Sequence, residues 1–371
     1  MPNITSKFLI LQSFMTDKIK KLIAKSQDVI LDSALDNGAI VAANSDKPYY
    51  PRKARDYHYV WPRDAAYICV AAKLLGRNEI QEPFFAWLEE RPQDFKKEGK
   101  LFGNYSVNGP HKVKQFQPDQ AGTMLWAIHS YYQKDLTKAE KQETLIRRLA
   151  DGLTDDWKGE YFFTNTVDLW EESNRQTSTQ MKNNHTYSLA ACVCGLLCAD
   201  KMIGGKKWKE AAGQMAEKIN AAYLEDKKTF IRNHGKVNDL NMDASLLGLT
   251  YPFAIIEAAD KRMVNTVRQM EEKIVINGGV HRYQFDYYDG EGSAQEGSGA
   301  WPILNFWLAI YWAIRGDKNK AEKYYDWVVE RIADDCLIPE QIFEDFRSGI
   351  KPLVWSHAMF IIASYYLGEL K

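Results

Sequence analysis

Residues 57–76 read YHYVWPRDAAYICVAAKLLG, where three aromatic residues and a proline precede an Arg-Asp pair that opens an apolar, helix-like segment. The stretch DKIKKLIAKSQDVILDSAL, residues 17–35, has apolar residues at three- and four-residue spacing, as amphipathic helices do. Segments with the same character recur along the chain and predict about a dozen helices. The others lie near residues 79–90, 119–133, 137–152, 179–201, 205–224, 241–248, 253–272, 299–315, 317–334 and 353–369.

The connections between the predicted helices are short within consecutive pairs and longer between pairs. The longer ones are rich in glycine, asparagine and aromatic residues, a composition too aromatic for disorder and typical of functional loops. We therefore predict an all-α protein, an (α/α)6 barrel of six helical hairpins whose inner helices converge on one mouth. A helical bundle or an open solenoid is the alternative, although no crisp repeat supports a solenoid. No linker divides residues 1–371, which we interpret as a single catalytic domain with residues 1–35 as a possible leading helix.

The charge balance, aromatic content and cysteine spacing of the chain limit the partners that it is expected to bind. The 371 residues include 48 basic and 49 acidic side chains, a net charge of −1, so we predict no nucleic-acid partner. Aromatic residues make up 13% of the chain. They could simply fill a large core, or they could line a site that packs against the apolar faces of sugars. Five cysteines lack metal-ligand spacing, so we predict no metal and a reducing compartment, the cytoplasm. The apolar run FLILQSFM is too short to span a membrane, and we predict neither a membrane association nor a cofactor.

Four loop clusters combine carboxylates, arginines and aromatic rings. Each cluster could also have a purely structural role. Glu171 or Glu172 could be a carboxylate in the first turn of a helix, where the helix dipole favours negative charge, and Arg282 could be a partner in a structural ion pair. Together they could supply glycoside hydrolysis, which needs one carboxylic acid and one carboxylate. The clusters are Tyr57, Tyr59, Trp61, Arg63 and Asp64; Asp168, Trp170, Glu171 and Glu172; His281, Arg282, Tyr283 and Asp286; and Glu340, Gln341, Glu344 and Asp345.

Five motifs occur in a specific order from about residue 36 onward. They are Tyr57-x-Tyr59-x-Trp61-x-Arg63-Asp64, Leu169-Trp170-Glu171-Glu172, Arg282-Tyr283, Glu340-Gln341 and Trp355-Ser356-His357-Ala358, with a weaker Gln117-x-Asp119-x-x-Gly122. In this order the chain resembles the glucoamylase family, glycoside hydrolase family 15. The resemblance covers the catalytic domain, without the β-sandwich that precedes the barrel in prokaryotic relatives.

The resemblance implies an (α/α)6 barrel and an inverting exo-acting α-glucosidase that releases β-D-glucose from non-reducing ends of α-1,4-glucans. It implies that Glu171 is the general acid and Glu340 the general base. The substrate-binding residues that it implies are Tyr57, Trp61, Arg63, Asp64, Trp170, Glu172, Arg282 and Trp355. No metal or cofactor is implied.

Other functions stay open at this point. The same mechanism could act on α-1,6-linked glucan or on trehalose, because the segments after Glu171 and before Gln117 lack aromatic residues that are common in the family. A non-catalytic carbohydrate-binding protein is a second alternative, although both glutamates are present. A lipid-handling α/α barrel is disfavoured because Asp155-Asp156 and Asp334-Asp335 lack a D-D-x-x-D context. The oligomeric state is left open.

Overall fold

The computed structural model describes residues 4–52, 54–172, 175–286, 298–344 and 349–370. Within these ranges α-helices predominate, and two 3₁₀ helices, Leu136–Gln142 and Ala244–Leu249, accompany them. The α-helices are α1 (Ile4–Ser33), α2 (Pro62–Leu74), α3 (Gln81–Glu90), α4 (Phe95–Glu98), α5 (Pro118–Tyr132), α6 (Glu143–Asp156), α7 (Thr186–Ile203), α8 (Lys206–Ala221), α9 (Lys261–Lys273), α10 (Pro302–Ile314), α11 (Lys318–Arg331) and α12 (Val354–Leu367).

Six helices form a closed inner ring. Going round the ring, α2 contacts α5, α5 contacts α7, and α7 contacts the 3₁₀ helix Ala244–Leu249; that helix contacts α10, α10 contacts α12, and α12 returns to α2. The outer helices α1, α3, α6, α8, α9 and α11 each precede one inner helix in the chain, so the ring comprises six hairpins. The predicted (α/α)6 barrel is therefore confirmed, with α1 packed as an outer helix against α12 and α2.

The difference between inner and outer helices follows from the spacing of their apolar residues. In α10 every residue from Pro302 to Tyr311 is buried, because the helix is apolar on all sides. In α11 the buried residues recur at three- and four-residue spacing and face the ring from outside. They are Ala321, Tyr324, Tyr325, Val328 and Val329.

Short antiparallel strands join parts of the loops. β1 (Tyr59–Val60), β2 (Phe102–Ser106) and β3 (His111–Phe116) form one sheet in the order β1-β2-β3, in which Tyr59 pairs with Ser106. The remaining strands form three two-stranded pairs. They are β4 (Asn184–His185) with β7 (Asn233–His234), β5 (Tyr223–Leu224) with β6 (Thr229–Phe230), and β8 (Val275–Ile276) with β9 (Gly279–Val280).

The β2–β3 hairpin lies in a segment that the sequence predicted to be a loop. Its signal is Asn108-Gly109 between two alternating runs, a dipeptide that favours tight hairpin turns. Gly109 has φ +108°, a conformation that suits glycine.

Four predicted helices differ in their bounds or type. The one predicted at 137–152 consists of the 3₁₀ helix Leu136–Gln142 followed by α6. The helix predicted at 253–272 begins at residue 261, because the Asp260 side chain caps it by accepting a hydrogen bond from the Arg262 N–H at 2.8 Å. The helix predicted at 241–248 is the 3₁₀ helix Ala244–Leu249, capped by Asp243. The helix predicted at 179–201 begins at residue 186, because Asn184 and His185 pair with β7 instead.

Helix α7 is the apolar centre of the inner ring. Among the residues that the structure describes, Thr186–Ile203 is long and apolar enough to cross a membrane, and 72% of it is buried inside the protein. It contacts α5, α6 and α8, so core packing accounts for its composition.

Helices α5 and α7 approach each other through two glycines. A Cβ atom added at Gly122 would lie 2.3 Å from the Ala191 carbonyl oxygen, and one added at Gly195 would lie 2.6 Å from Gly122 Cα. These neighbours are backbone atoms, which cannot swing aside as a side chain can. The weaker motif that ends at Gly122 therefore marks a close helix contact.

We expect Gly195→Ala to lower the free energy of unfolding by about 1–3 kcal/mol, because the added methyl group forces α5 and α7 apart. Gly213→Ala in α8 is the matched control, since a Cβ there meets nothing within 4 Å. Its higher helix propensity should raise stability by roughly 0.5–1 kcal/mol. Urea unfolding of both variants checks the prediction, and equal stabilities would contradict it.

Candidate active site

The inner helices begin around one cavity of about 230 Å³. The residues that precede α2, α10 and α12, which are Trp61, Trp301 and Leu353, all line it. Proline occupies the first position of α2 and α10, where its missing N–H costs nothing. The positive ends of these helix dipoles thus face the cavity and favour carboxylates there.

The cavity has a partly exposed rim and a buried interior. Arg55, Tyr57, Trp61 and Glu171 retain solvent exposure, whereas the other lining residues are buried. Nine of the ten predicted site residues line the cavity, so the structure brings them together; Glu172 is not among the lining residues. The full lining set is Ala42, Arg55, Tyr57, Trp61, Arg63, Asp64, Leu169, Trp170, Glu171, Arg282, Trp301, Glu340, Leu353 and Trp355.

Glu171 lies in a turn rather than in a helix. Its N–H donates to the Asp168 carbonyl oxygen at 3.0 Å, and its φ of +63° is unusual for a residue with a side chain. Its Oε1 accepts hydrogen bonds from the Trp61 indole at 2.8 Å and from the Gln117 amide at 3.0 Å. These contacts fix one oxygen of the carboxyl group and direct the side chain toward the cavity.

Arg63 and Asp64 form the buried interior beside Glu171. The Arg63 guanidinium lies 3.5 Å from Asp64 Oδ1 and 3.3 Å from Asp119 Oδ2, and it donates to Gln117 Oε1 at 2.9 Å. Burial raises the pKa of Asp64 to about 7, although Arg63 acts in the opposite direction. Burial likewise raises the pKa of Asp119 to about 6. The pair can present donors and acceptors to the hydroxyls of a bound ligand.

Glu340 lies on the Glu340 loop (residues 336–344) and lines the same cavity. Its Oε1 accepts a hydrogen bond from the Tyr57 hydroxyl at 3.1 Å, and its N–H donates to the Ile350 carbonyl oxygen at 2.7 Å. The carboxylate is buried, yet it lines the cavity. The two predicted catalytic glutamates therefore share one small cavity.

The first turn of α12 holds the Glu340 loop in place. Ser356 donates to the Pro339 carbonyl oxygen at 2.8 Å, and His357 Nε2 accepts from the Ile338 N–H at 2.9 Å. His357 Nδ1 lies 2.8 Å from Ser26 Oγ in α1, so the neutral ring donates there. This explains why the Trp355-Ser356-His357-Ala358 motif accompanies the predicted site.

We expect His357→Asn to flatten the pH dependence of stability. Burial lowers the pKa of His357 to about 3, below the value of about 6.5 in unfolded chains. The neutral ring therefore contributes stability above pH 6.5 that is lost as the pH falls toward 3, at about 1.4 kcal/mol per pH unit. Urea unfolding between pH 7.5 and 4 measures this slope, and identical slopes in the variant and the parent would disprove the assignment.

Arg282 is paired more closely with Asp286 than with Glu172. Its Nε and Nη2 lie 2.7 and 2.6 Å from the two Asp286 oxygens, whereas Nη2 is 4.0 Å from Glu172 Oε1. The guanidinium stacks between the rings of Trp170 and Trp301, 5.6 and 5.2 Å from their centres. The ion pair that the sequence suggested for Arg282 is thus mainly with Asp286, and Glu172 is a more distant partner.

The Glu172 carboxylate points away from the cavity toward other partners. It accepts a hydrogen bond from the Tyr283 hydroxyl, and it lies 3.1 Å from Arg175 and 3.2 Å from Arg232. Burial raises the pKa of Glu172, and Tyr283 and Arg232 act in the opposite direction. Its predicted contact with a sugar stays a prediction.

A family model described as glycosyl hydrolases family 15 matches residues 22–333, most of the chain. The chain belongs to glycosyl hydrolase family 15. This match confirms the resemblance seen in the sequence motifs.

Relatives of this family 15 chain differ in length and in described activity. An uncharacterized glycosyl hydrolase of Methanocaldococcus jannaschii is 29% identical over 97% of this chain, which spans 58% of that relative. An isomaltose glucohydrolase of Kribbella flavida is 22% identical, with 84% of this chain and 85% of that relative covered. A solved glycosidase variant in complex with glucose superposes with a TM-score of 0.79 at 22% identity, covering 97% of this chain and 99% of that one. The structural likeness supports the barrel fold.

Sequence reasoning missed two lining residues of this family 15 site that carry polar or aromatic side chains, besides the aliphatic Ala42 and Leu353. Trp301 could have been found because Trp301-Pro302 repeats the Trp61-Pro62 pattern at the start of an inner helix. Arg55 has no comparable signal. Asp345, which belonged to the fourth cluster, lies outside the described residues. Among the residues described, no group of three or more histidine, cysteine or acidic side chains could hold a metal ion.

Proposed function

We propose that this family 15 chain is an inverting, exo-acting α-glucosidase that releases β-D-glucose from non-reducing ends of α-1,4-glucans. The observation that carries the proposal is the single small cavity that both Glu171 and Glu340 line. Two carboxyl groups at one sugar-sized site are what glycoside hydrolysis needs. The reaction requires no metal or cofactor, and the substrate is an α-glucan or a small α-glucoside.

Glu171 acts as the general acid. Its Oε1 already accepts two hydrogen bonds, from Trp61 and Gln117, so we place the transferable proton on Oε2. Protonation of the glycosidic oxygen by Oε2 lets the leaving sugar depart as a neutral alcohol. The position of Glu171 at the rim suits this role, because the leaving sugar lies outside the glucose site.

Glu340 acts as the general base. Its buried carboxylate accepts a proton from a water molecule that attacks the anomeric carbon from the face opposite the leaving group, and the product is inverted. The Tyr57 hydroxyl, which donates to Glu340 Oε1, keeps the carboxylate directed at that water.

The interior of the cavity favours exo action. A volume of about 230 Å³ is below the range of pockets that hold drug-sized ligands, so it suits one hexose. Buried Arg63 and Asp64 bind the hydroxyls of this hexose and block further units, and the faces of Trp170 and Trp355 pack against its C–H groups. Arg282 completes the hydroxyl contacts.

Isomaltose, with its α-1,6 linkage, is a second candidate substrate. The relative described as an isomaltose glucohydrolase matches this chain over 84% of its length and is itself 85% covered, so the two have similar extents. Trehalose remains a third substrate to test with the same assay. A carbohydrate-binding protein without activity is the alternative from another class.

Proton NMR of the purified protein with maltotriose, isomaltotriose and trehalose in parallel tests the proposal. We expect one of the three substrates to release glucose, first as the β-anomer. The substrate that does so identifies the linkage that the enzyme cleaves. Early α-glucose would overturn the inverting mechanism and the roles of both glutamates. Absence of glucose from all three would favour a binding protein.

We also propose a cytoplasmic location, because all five cysteines are free thiols. Cell fractionation with an antibody checks this.

A further inference from the structure

The turn that carries Glu171, residues 168–172, has an unusual backbone that its surroundings must maintain. Glu171 adopts φ +63°, which a residue with a Cβ atom avoids unless neighbouring contacts impose it. Within the turn, the Trp170 N–H donates to Asp168 Oδ1 at 3.1 Å and the Glu171 N–H donates to the Asp168 carbonyl oxygen. Asp168 is thus the residue around which the turn closes.

Arg232 lies behind this turn, 1% exposed, and belongs to none of the predicted clusters. Its Nε lies 3.2 Å from Asp168 Oδ2, and its Nη2 lies 3.2 Å from Glu172 Oε2. One guanidinium therefore contacts both ends of the turn, on either side of Glu171. Lysine could not make these contacts together, because its ammonium group is a single point of charge.

The third nitrogen of Arg232 connects to the cavity wall. Nη1 donates to Asp243 Oδ2 at 2.9 Å, and Asp243 in turn accepts from the Trp170 indole Nε1 at 3.1–3.2 Å. Arg232 thereby acts on Trp170 as well, the residue just before Glu171. Three of the five residues of the turn are thus held, directly or through Asp243, by one buried side chain.

The negative charges around Arg232 make its own positive charge necessary. Four carboxylates face it, from Asp168, Glu172, Asp239 at 3.8 Å and Asp243, and the Tyr283 ring covers it at 4.9 Å. Arg175 provides a second positive charge at Glu172. Without Arg232, the buried carboxylate of Asp168 and the half-buried carboxylate of Glu172 would repel each other and open the turn.

We propose that Arg232 is the positioning residue for the general acid: it does not touch substrate but holds the 168–172 turn so that the Glu171 carboxyl group faces the glycosidic oxygen. The inference rests on the proposed function, since it assigns Glu171 the role of acid. It predicts a specific kinetic defect, a loss of acid catalysis that exceeds any loss of sugar binding.

The test compares two substrates that differ in their need for the acid. A disaccharide, whichever of maltose, isomaltose and trehalose the parent hydrolyses, must have its leaving oxygen protonated, whereas the fluoride of α-D-glucosyl fluoride departs as a stable anion. We expect Arg232→Lys to lower kcat on the disaccharide about 10-fold or more and on the fluoride less than 3-fold. KM for the disaccharide should change less than kcat, because Arg63 and Asp64 are untouched and Trp170 keeps its direct hydrogen bond to Asp243.

Asp168→Asn provides a second, isosteric variant that weakens the same contact from the turn side, should Arg232→Lys fold poorly. Arg268→Met, at an exposed i,i+4 pair with Glu272, is the matched control and should behave as the parent. Equal losses on both substrates in a folded variant, or no loss on either, would overturn the proposal. Failure of the parent itself to hydrolyse any substrate would instead reject the proposed function.

Discussion

Replacement of Glu171 by glutamine is expected to lower kcat on a disaccharide by about 10²–10⁴-fold while leaving the fold intact. Glutamine keeps the oxygen that accepts hydrogen bonds from Trp61 and Gln117, so the cavity wall is preserved. It cannot donate a proton as an acid, and the leaving sugar must then depart as an unfavourable alkoxide.

The leaving group makes this prediction specific. Glu171→Gln should retain most of the parent's activity on α-D-glucosyl fluoride, because fluoride needs little protonation. Steady-state kinetics on both substrates, with circular dichroism to verify folding, provide the measurement. A variant that matches the parent on the disaccharide would remove Glu171 from the role of acid.

Replacement of Glu340 by glutamine should lower kcat by a similar factor, about 10²–10⁴-fold, but on both substrates alike. Water must attack the anomeric carbon whatever the leaving group, and the glutamine amide cannot accept its proton. The Tyr57 hydroxyl can still donate to the remaining oxygen, so the loop should keep its position.

Glu344→Gln is the matched control for this second variant, since Glu344 is an exposed residue on the same loop. We expect it to be as active as the parent. The decisive result is the activity of the two variants on the fluoride. Glu171→Gln should keep most of this activity because it lacks only the acid, whereas Glu340→Gln should lose it because it lacks the base. If Glu340→Gln kept its activity on the fluoride, the base would have to be another group.

The helices could be predicted because their burial follows from apolar spacing that is local in the sequence. α10 and α12 are apolar on nearly all faces and lie in the inner ring, whereas α11 is amphipathic and lies outside it. The motif at 57–64 could likewise be recognised from the local sequence as part of a site, and Trp61, Arg63 and Asp64 all line the cavity.

Long-range and backbone effects were beyond sequence reasoning. Adjacent Glu171 and Glu172 were equivalent candidates on a helix, but the positive φ at Glu171 directs one into the cavity and leaves the other with Arg232. Arg232 itself had no local signal, since its partner Glu172 is 60 residues away in the chain. Asp286 was in a predicted cluster, but only the structure shows that its carboxylate forms a bidentate ion pair with Arg282.

The contact between α12 and α2 that closes the inner ring has a consequence for biosynthesis. A ribosome that has translated as far as Arg331 has produced eleven of the twelve α-helices that the structure describes, and with them the proposed acid Glu171. It has produced neither the proposed base Glu340 nor Trp355. Until α12 emerges, the apolar sides of α2 and α10 that it covers stay exposed to water. The nascent chain is therefore inactive and prone to association through these surfaces, and a chaperone that shields them would act during the last stage of synthesis.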